Sequence, residues 1–296
     1  VCKKGHILFL GKFSVFSAIV LKTSLEESLP YASLHGEENG VFYEIRGQGD
    51  VVVLINGLTR SSTHWFQFAD ELSKHAQVVL IDNRGTGRSK SVRADWTLSI
   101  QQMANDVERV IEQIDCERAH IFGLSMGGMI GMALALKSPQ LIRSLTLLNA
   151  SSGGFLYPRI SPRAMFGSFS SGLNPRRSVE AAASYLVGDV SKEHFEELVN
   201  QWLEVEKVEP TSYKLAALQM FAAAKFDVRS RLKELKMPVA VMVSLDDAFV
   251  PMRNSEFLHA ELNDAEWIPL AKGGHEVTVS KPNVVVDAWR KFIATT

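Results

Sequence analysis

The chain has 296 residues, 46% of them hydrophobic and 22% charged, with a formal net charge of −1. These values describe an ordinary globular protein of one large or two small domains, and near-neutrality gives no electrostatic reason to expect a nucleic-acid partner. Two cysteines, Cys2 and Cys116, are too few for a disulfide framework, and Cys116 reads as a small hydrophobe ahead of an apolar run.

Residues 1–35 do not match the rest. Lys3-Lys4 precede the apolar run Ile7–Leu21, which Lys12 interrupts. A basic flank before such a run suggests a signal or membrane anchor, but the run is short for a span and no Ala-x-Ala site follows. The segment is expected to be an extension outside the folded domain, and the protein cytoplasmic. Export or anchoring through residues 7–21 is the alternative.

The domain is expected to begin near Gly36. Val41–Arg46 alternates like a strand, and Val51–Ile55 is a short apolar strand leading to Asn56-Gly57-Leu58 and a helix. Val78–Ile81 is the next buried strand, ending at Asp82. Ile100–Ile114 has helical spacing, with Met103, Val107, Val110, Ile111 and Ile114 on one face. Strand 119–124, helix 126–137 and strand 144–148 follow. Apolar strands alternating with amphipathic helices predict a parallel sheet covered on both faces, with its site beyond the carboxyl ends of the strands.

Gly85-x-Gly87-x-x-Lys90 follows a strand, but its third position is lysine, so it reads as a glycine-rich turn rather than a dinucleotide fingerprint. From about Ser151 to Ala224 the rhythm breaks. Gly and Pro punctuate the first half, and helical patches at 178–187, 192–205 and 211–224 fill the second. A helical lid over residues 151–224 is therefore expected, between core parts 36–150 and 225–296. Its apolar residues Phe155, Tyr157, Met165, Phe166, Phe169, Trp202, Met220 and Phe221 exceed what surface helices need. The sheet resumes at Val239–Ser244 and Ala265–Leu270, and helix Pro282–Phe292 closes the chain.

Chemistry concentrates at three places. The strand ending at Leu124 runs into Gly123-x-Ser125-x-Gly127 and a helix, the layout of a nucleophile elbow. A serine hydroxyl needs a base, and the base needs a carboxylate to hold its tautomer. Asp246-Asp247 after the next-to-last strand and His275 after the last supply these parts in the order Ser, Asp, His. His120 on a strand reads as core, and His64 is wrongly placed for a base. His194-Phe-Glu-Glu-Leu lacks the second histidine of a zinc site, so no metal is expected.

On these motifs, with Asp82-x-Arg84-Gly85-x-Gly87-x-Ser89, Asp247-x-x-x-Pro251 and Gly274-His275, residues 36–296 resemble the α/β-hydrolase superfamily. The resemblance implies a mostly parallel sheet flanked by helices, with the lid inserted after the sixth strand. It also implies the triad Ser125, Asp247 and His275, the acid standing four residues before the proline. Oxyanion donors are then the backbone amides of Leu58 and Met126. Most relatives carry His-Gly where this chain has Asn56-Gly57, which alters the hydrogen bonding that shapes that loop.

Serine at the elbow separates the chain from superfamily members with an aspartate nucleophile, such as haloalkane dehalogenases and epoxide hydrolases. The expected substrate is a small-molecule ester, thioester or lactone, and no cofactor is needed. The resemblance points first to a carboxylesterase on small to medium acyl chains. The elbow also looks like that of enol-lactonases, and the same letters occur in acyl-carrier methyl esterases. Outside catalysis, the fold serves as ligand receptors. Arg159, Arg163, Arg176 and Arg177 make the lid's first half basic, which reads as a solvated face.

Overall fold

The computed structural model describes residues 31–32, 40–154, 160–161, 174–210 and 212–296. Eight strands form one sheet: β1 (Tyr31–Ala32), β2 (Val41–Arg46), β3 (Val51–Ile55), β4 (Gln77–Ile81), β5 (Ala119–Leu124), β6 (Ile142–Leu148), β7 (Val239–Ser244) and β8 (Glu266–Leu270). Their order across the sheet is β1-β2-β4-β3-β5-β6-β7-β8. β1 and β2 pair antiparallel with their neighbours, and every other pairing is parallel. The mostly parallel sheet expected from the sequence is the one observed.

This order fixes where a ligand can sit. The chain goes from β3 to β4 on one side, then crosses to β5 on the other. Loops leaving β3 and β5 therefore part in opposite directions and leave a crevice at the strands' carboxyl ends. Asn56-Gly57-Leu58 follows β3 and Ser125 follows β5, so both candidate loops border that crevice.

Among the described residues the helices are α1 (Phe66–Ser73), α2 (Ile100–Gln113), α3 (Met126–Lys137), α4 (Pro175–Leu186), α5 (Lys192–Val208), α6 (Tyr213–Lys225), α7 (Arg253–Glu261), α8 (Val277–Ser280) and α9 (Pro282–Ile293). Serines cap three of them: Ser99 accepts from the Gln102 amide, Ser191 from His194 and Ser212 from Leu215. Each satisfies one of the amides a helix start leaves unpaired.

Alternation within the strands sorts the core into two layers. Val53 and Ile55 of β3 face one cluster, with Met103 and Val107 of α2 and Ile130 of α3. Val52 and Leu54 face the other, with Phe68 and Leu72 of α1 and Trp289 of α9. Because both layers are filled, the strands read as apolar throughout. α3 is buried from Met126 to Ala135, which explains why its sequence is apolar on all sides.

β1 lies within the stretch that the sequence assigns to the extension, so the sheet begins at Tyr31, ahead of Gly36. Two residues are too short to show a period, and no sequence signal reveals the strand. α4, α5 and α6 occupy the segment between β6 and β7, as the helical patches predict. Phe155, Tyr157, Arg159, Arg163, Met165, Phe166, Phe169 and the apolar run 7–21 lie outside the described residues. No helix among the described residues is long and apolar enough to cross a membrane.

Candidate active site

Ser125 sits between β5 and α3 with φ 56° and ψ −115°, a conformation that L-residues adopt at a cost of order 1–3 kcal/mol. The turn survives because its neighbours lack side chains. A Cβ on Gly123 would lie 2.5 Å from the Gly127 carbonyl carbon, and one on Gly127 would run into the Ile55 carbonyl oxygen. The Ser125 amide donates to the Leu148 carbonyl at 2.9 Å, which ties the elbow to the end of β6. The serine hydroxyl itself forms no hydrogen bond among the described residues.

His275 follows β8 and is 3% exposed. Its Nδ1 lies 2.7 Å from Asp247 Oδ2. A carboxylate there requires a donor, so Nδ1 carries a proton, and the tautomer this selects has its acceptor lone pair on Nε2. The amides of Phe249 and Val250 both donate to the other Asp247 oxygen at 2.8 Å, fixing the carboxylate. The Phe249 ring packs on His275 at 5.0 Å.

Asp246 has a different task. Its Oδ1 accepts from the Gly273 amide at 2.7 Å, the Gly274 amide at 2.9 Å and the Ser244 hydroxyl at 2.9 Å. Burial opposes its ionisation, but the Gly274 and Gly273 amides and the Ser244 hydroxyl outweigh burial and hold the carboxyl below its ordinary value. Asp246 thus braces the histidine loop, and Asp247 faces the histidine.

One residue absent from the sequence reading joins the two halves. Asn149, one residue past β6, accepts from the Ser244 amide at 2.9 Å and donates to the His275 carbonyl at 2.8 Å. Ser125 and His275 are therefore hung from adjacent residues, Leu148 and Asn149. A polar residue closing an apolar strand was the available signal.

The loop after β3 lies against the serine: a Cβ on Gly57 would sit 3.4 Å from the Ser125 Cβ and 3.9 Å from Oγ. Asn56 shapes this loop, as its side-chain amide donates to the Ser61 carbonyl at 2.9 Å and its oxygen accepts the Gly57 amide at 3.0 Å. Asp82, fully buried, receives the Ser62 and Arg88 amides at 2.6 and 2.7 Å. The turn at Gly87 packs on Asp82 and Ser61, the structural role read for it. Leu58 and Met126 donate their amides to no partner among the described residues.

Helices between β6 and β7 grip both loops. Arg60 pairs with Glu276 at 2.7 Å and its guanidinium lies 4.2 Å from the Trp202 ring of α5. The Glu276 amide donates to the Leu186 carbonyl at the end of α4. Glu209, just after α5, accepts the Ser61 hydroxyl at 2.5 Å and the Thr63 hydroxyl at 3.2 Å. Gln219 of α6 accepts the Thr59 amide at 2.7 Å.

His64 and His120 have other partners. Ser61 donates its amide to His64 Nδ1 at 3.2 Å; burial and the nearby Arg60 charge hold His64 well below its ordinary pKa. His120 Nδ1 meets the Ser144 hydroxyl at 2.7 Å and its ring packs on Trp289, as a core residue would. No group of three potential metal ligands occurs among the described residues.

The sequence profile described as alpha/beta hydrolase fold matches residues 50–282. The chain belongs to the α/β-hydrolase family. Among relatives of this hydrolase is a protein of Azorhizobium caulinodans named "Putative carbamate hydrolase RutD", 33% identical over 86% of this chain and 95% of its own. The protein of that name from Caulobacter segnis is 30% identical over 87% and 98%. A hydrolase from Pseudomonas aeruginosa PA01 superimposes with a TM-score of 0.74 at 22% identity, over 91% of this chain and 99% of the other. The enol-lactonase from Burkholderia xenovorans LB400 does so with 0.73 at 23%, over 90% and 100%. The family and the RutD relatives support hydrolysis as the chemistry, and the two structures support the α/β-hydrolase fold.

Proposed function

We propose that this α/β-hydrolase is a serine hydrolase that cleaves carboxylic esters of small to medium acyl chain through an acyl-enzyme. The observation that carries the reading is the 2.7 Å Asp247–His275 pair, hung beside a positive-φ serine on adjacent residues of one strand end. His275 Nε2 takes the Ser125 proton as Oγ attacks the ester carbonyl. The Leu58 and Met126 amides, left without acceptors, stabilise the oxyanion that forms. His275 then protonates the departing alcohol, and the carbon–oxygen bond breaks. A water deprotonated by the same histidine attacks the acyl-serine, releasing the acid and returning the proton to Ser125. The segment 151–224 serves as a lid over these steps, consistent with the contacts of α4, α5 and α6 on both loops.

The names of the RutD relatives favour a carbamate as the second reading. Its carbonyl would accept the same attack and give a carbamoyl-serine. The test is initial-rate hydrolysis of p-nitrophenyl esters from acetate to palmitate, beside p-nitrophenyl carbamates and a lactone panel, with Ser125→Ala as blank. Fast, Ser125-dependent turnover of short esters is the expected result. Preference for carbamates or lactones would replace the ester, and folded protein that binds without turnover would overturn catalysis altogether.

A further inference from the structure

Three consecutive residues after β3 are held by three different parts of the chain. Gln219 of α6 accepts the Thr59 amide, Glu276 pairs with Arg60, and Glu209 accepts the Ser61 hydroxyl. Thr59 and Ser61 thus hang from the segment between β6 and β7, whereas Arg60 reaches the loop that carries His275. Among the described residues, no other hydrogen bond or ion pair joins residues 56–65 to residues 271–281.

That single link bridges a large part of the sheet. β3 and β8 stand four places apart, roughly 19 Å at the usual strand spacing. The loops after them therefore lean together over the ends of β5, β6 and β7, and Ser125 follows β5. Both partners are nearly buried, and the Arg60 guanidinium lies 4.2 Å from the centre of the Trp202 ring. Little solvent screens the pair, and the ring leaves the guanidinium little room to turn, so the charge-assisted bond holds its geometry.

The proposed chemistry needs such a link. The base and the oxyanion donors act around one carbonyl, and an error of about 1 Å in their placing costs on the order of 10²-fold in rate. His275 is set on its own side by Asp247 and Asn149. Leu58 lies inside the turn that the Arg60 amide closes on the Gly57 carbonyl at 3.4 Å, so a displacement of Arg60 carries Leu58 with it. The Glu276 carboxylate forms no hydrogen bond with His275, and its influence therefore passes through Arg60.

We infer that Glu276 is a positioning residue of the proposed hydrolysis: through Arg60 it keeps the Leu58 amide in register with His275 around Ser125. The inference rests on attack by Ser125 and on the oxyanion role proposed for Leu58.

Arg60→Met combined with Glu276→Leu removes the link without stranding a charge. On p-nitrophenyl acetate, kcat should fall on the order of 10²-fold, with KM held within about twofold. The acid limb of the pH profile of kcat/KM should stay where the wild type has it, because Asp247 still faces His275. Glu276→Gln keeps an oxygen for Arg60, so its kcat should fall less, by about tenfold, and it decides alone if the double variant fails to fold. An unchanged kcat in a folded variant overturns the proposal, because it leaves the pair merely structural. An acid limb that moves in the double variant overturns it too, because the pair then acts on the base. If the wild type hydrolyses no ester, the esterase reading fails by itself, and hydrogen exchange of the loop decides. Faster exchange across residues 57–64 in the folded variant upholds the link, and equal exchange overturns it.

Discussion

The side-chain amide of Asn149 donates to the backbone carbonyl of His275 at 2.8 Å. Its oxygen holds Ser244 at the end of β7, so one buried side chain sets the spacing of the loops that carry Asp247 and His275. Asn149→Ala loses both bonds and orphans a buried amide and a buried carbonyl. We expect a loss of about 1–3 kcal/mol in urea unfolding, and a fall in kcat larger than any change in KM. An unchanged kcat in the folded variant would refute this positioning role.

The adjacent aspartates should separate cleanly. Asp247→Asn places an amide against His275 Nδ1 and favours the wrong tautomer, so kcat/KM should drop on the order of 10⁴-fold by the serine-protease precedent. Asp246→Asn leaves one oxygen for the Gly273 and Gly274 amides, and its effect should be far smaller. Steady-state kinetics on p-nitrophenyl acetate would decide, and a larger effect at Asp246 would reverse the assignment.

Stability should fall with acid before the carboxylates titrate. Burial, with the Arg143 charge adding to it, lowers His120 to about 4, against an ordinary 6.5. Between those values the unfolded chain binds a proton that the native state refuses, so stability is retained above 6.5 and lost as pH falls towards 4. The slope is about 1.4 kcal/mol per pH unit per histidine. His64, lowered well below its ordinary value, adds in the same direction. Urea midpoints from pH 7 to pH 4 should show this slope, and His120→Gln should flatten it; an equal slope in the variant would exclude His120 as its source.

The Arg60–Glu276 pair is nearly sealed, at 14% and 5% side-chain exposure. Arg60→Met strands the Glu276 charge and should cost about 3–5 kcal/mol, whereas Arg60→Met with Glu276→Leu should recover most of it. Thermal melts of the single and double variants measure the difference. Failure of the second substitution to restore stability would mean that Arg60 acts through Trp202 instead.

Much of this was legible in the sequence, for physical reasons. Strand β3, with residues such as Val52 and Val53, is apolar on both faces because helices cover both, which is a strong local signal. Ser125 was legible because its backbone tolerates only glycine at Gly123 and Gly127. Gln219, Glu209 and Asn149 were not, because each earns its place through a partner distant in sequence, and polar residues in helices and loops carry no period of their own. β1 escaped for want of length.

The grip of α4 to α6 on the loops limits how this protein can be recombined. A chimera that takes the segment between β6 and β7 from a relative must also import an acceptor for the Thr59 amide, a carboxylate for the Ser61 and Thr63 hydroxyls, and a carbonyl for the Glu276 amide. Swapped as a free module, the graft leaves these four donors after β3 and β8 without partners. Exchange within this segment therefore succeeds only when the loops after β3 and β8 travel with it.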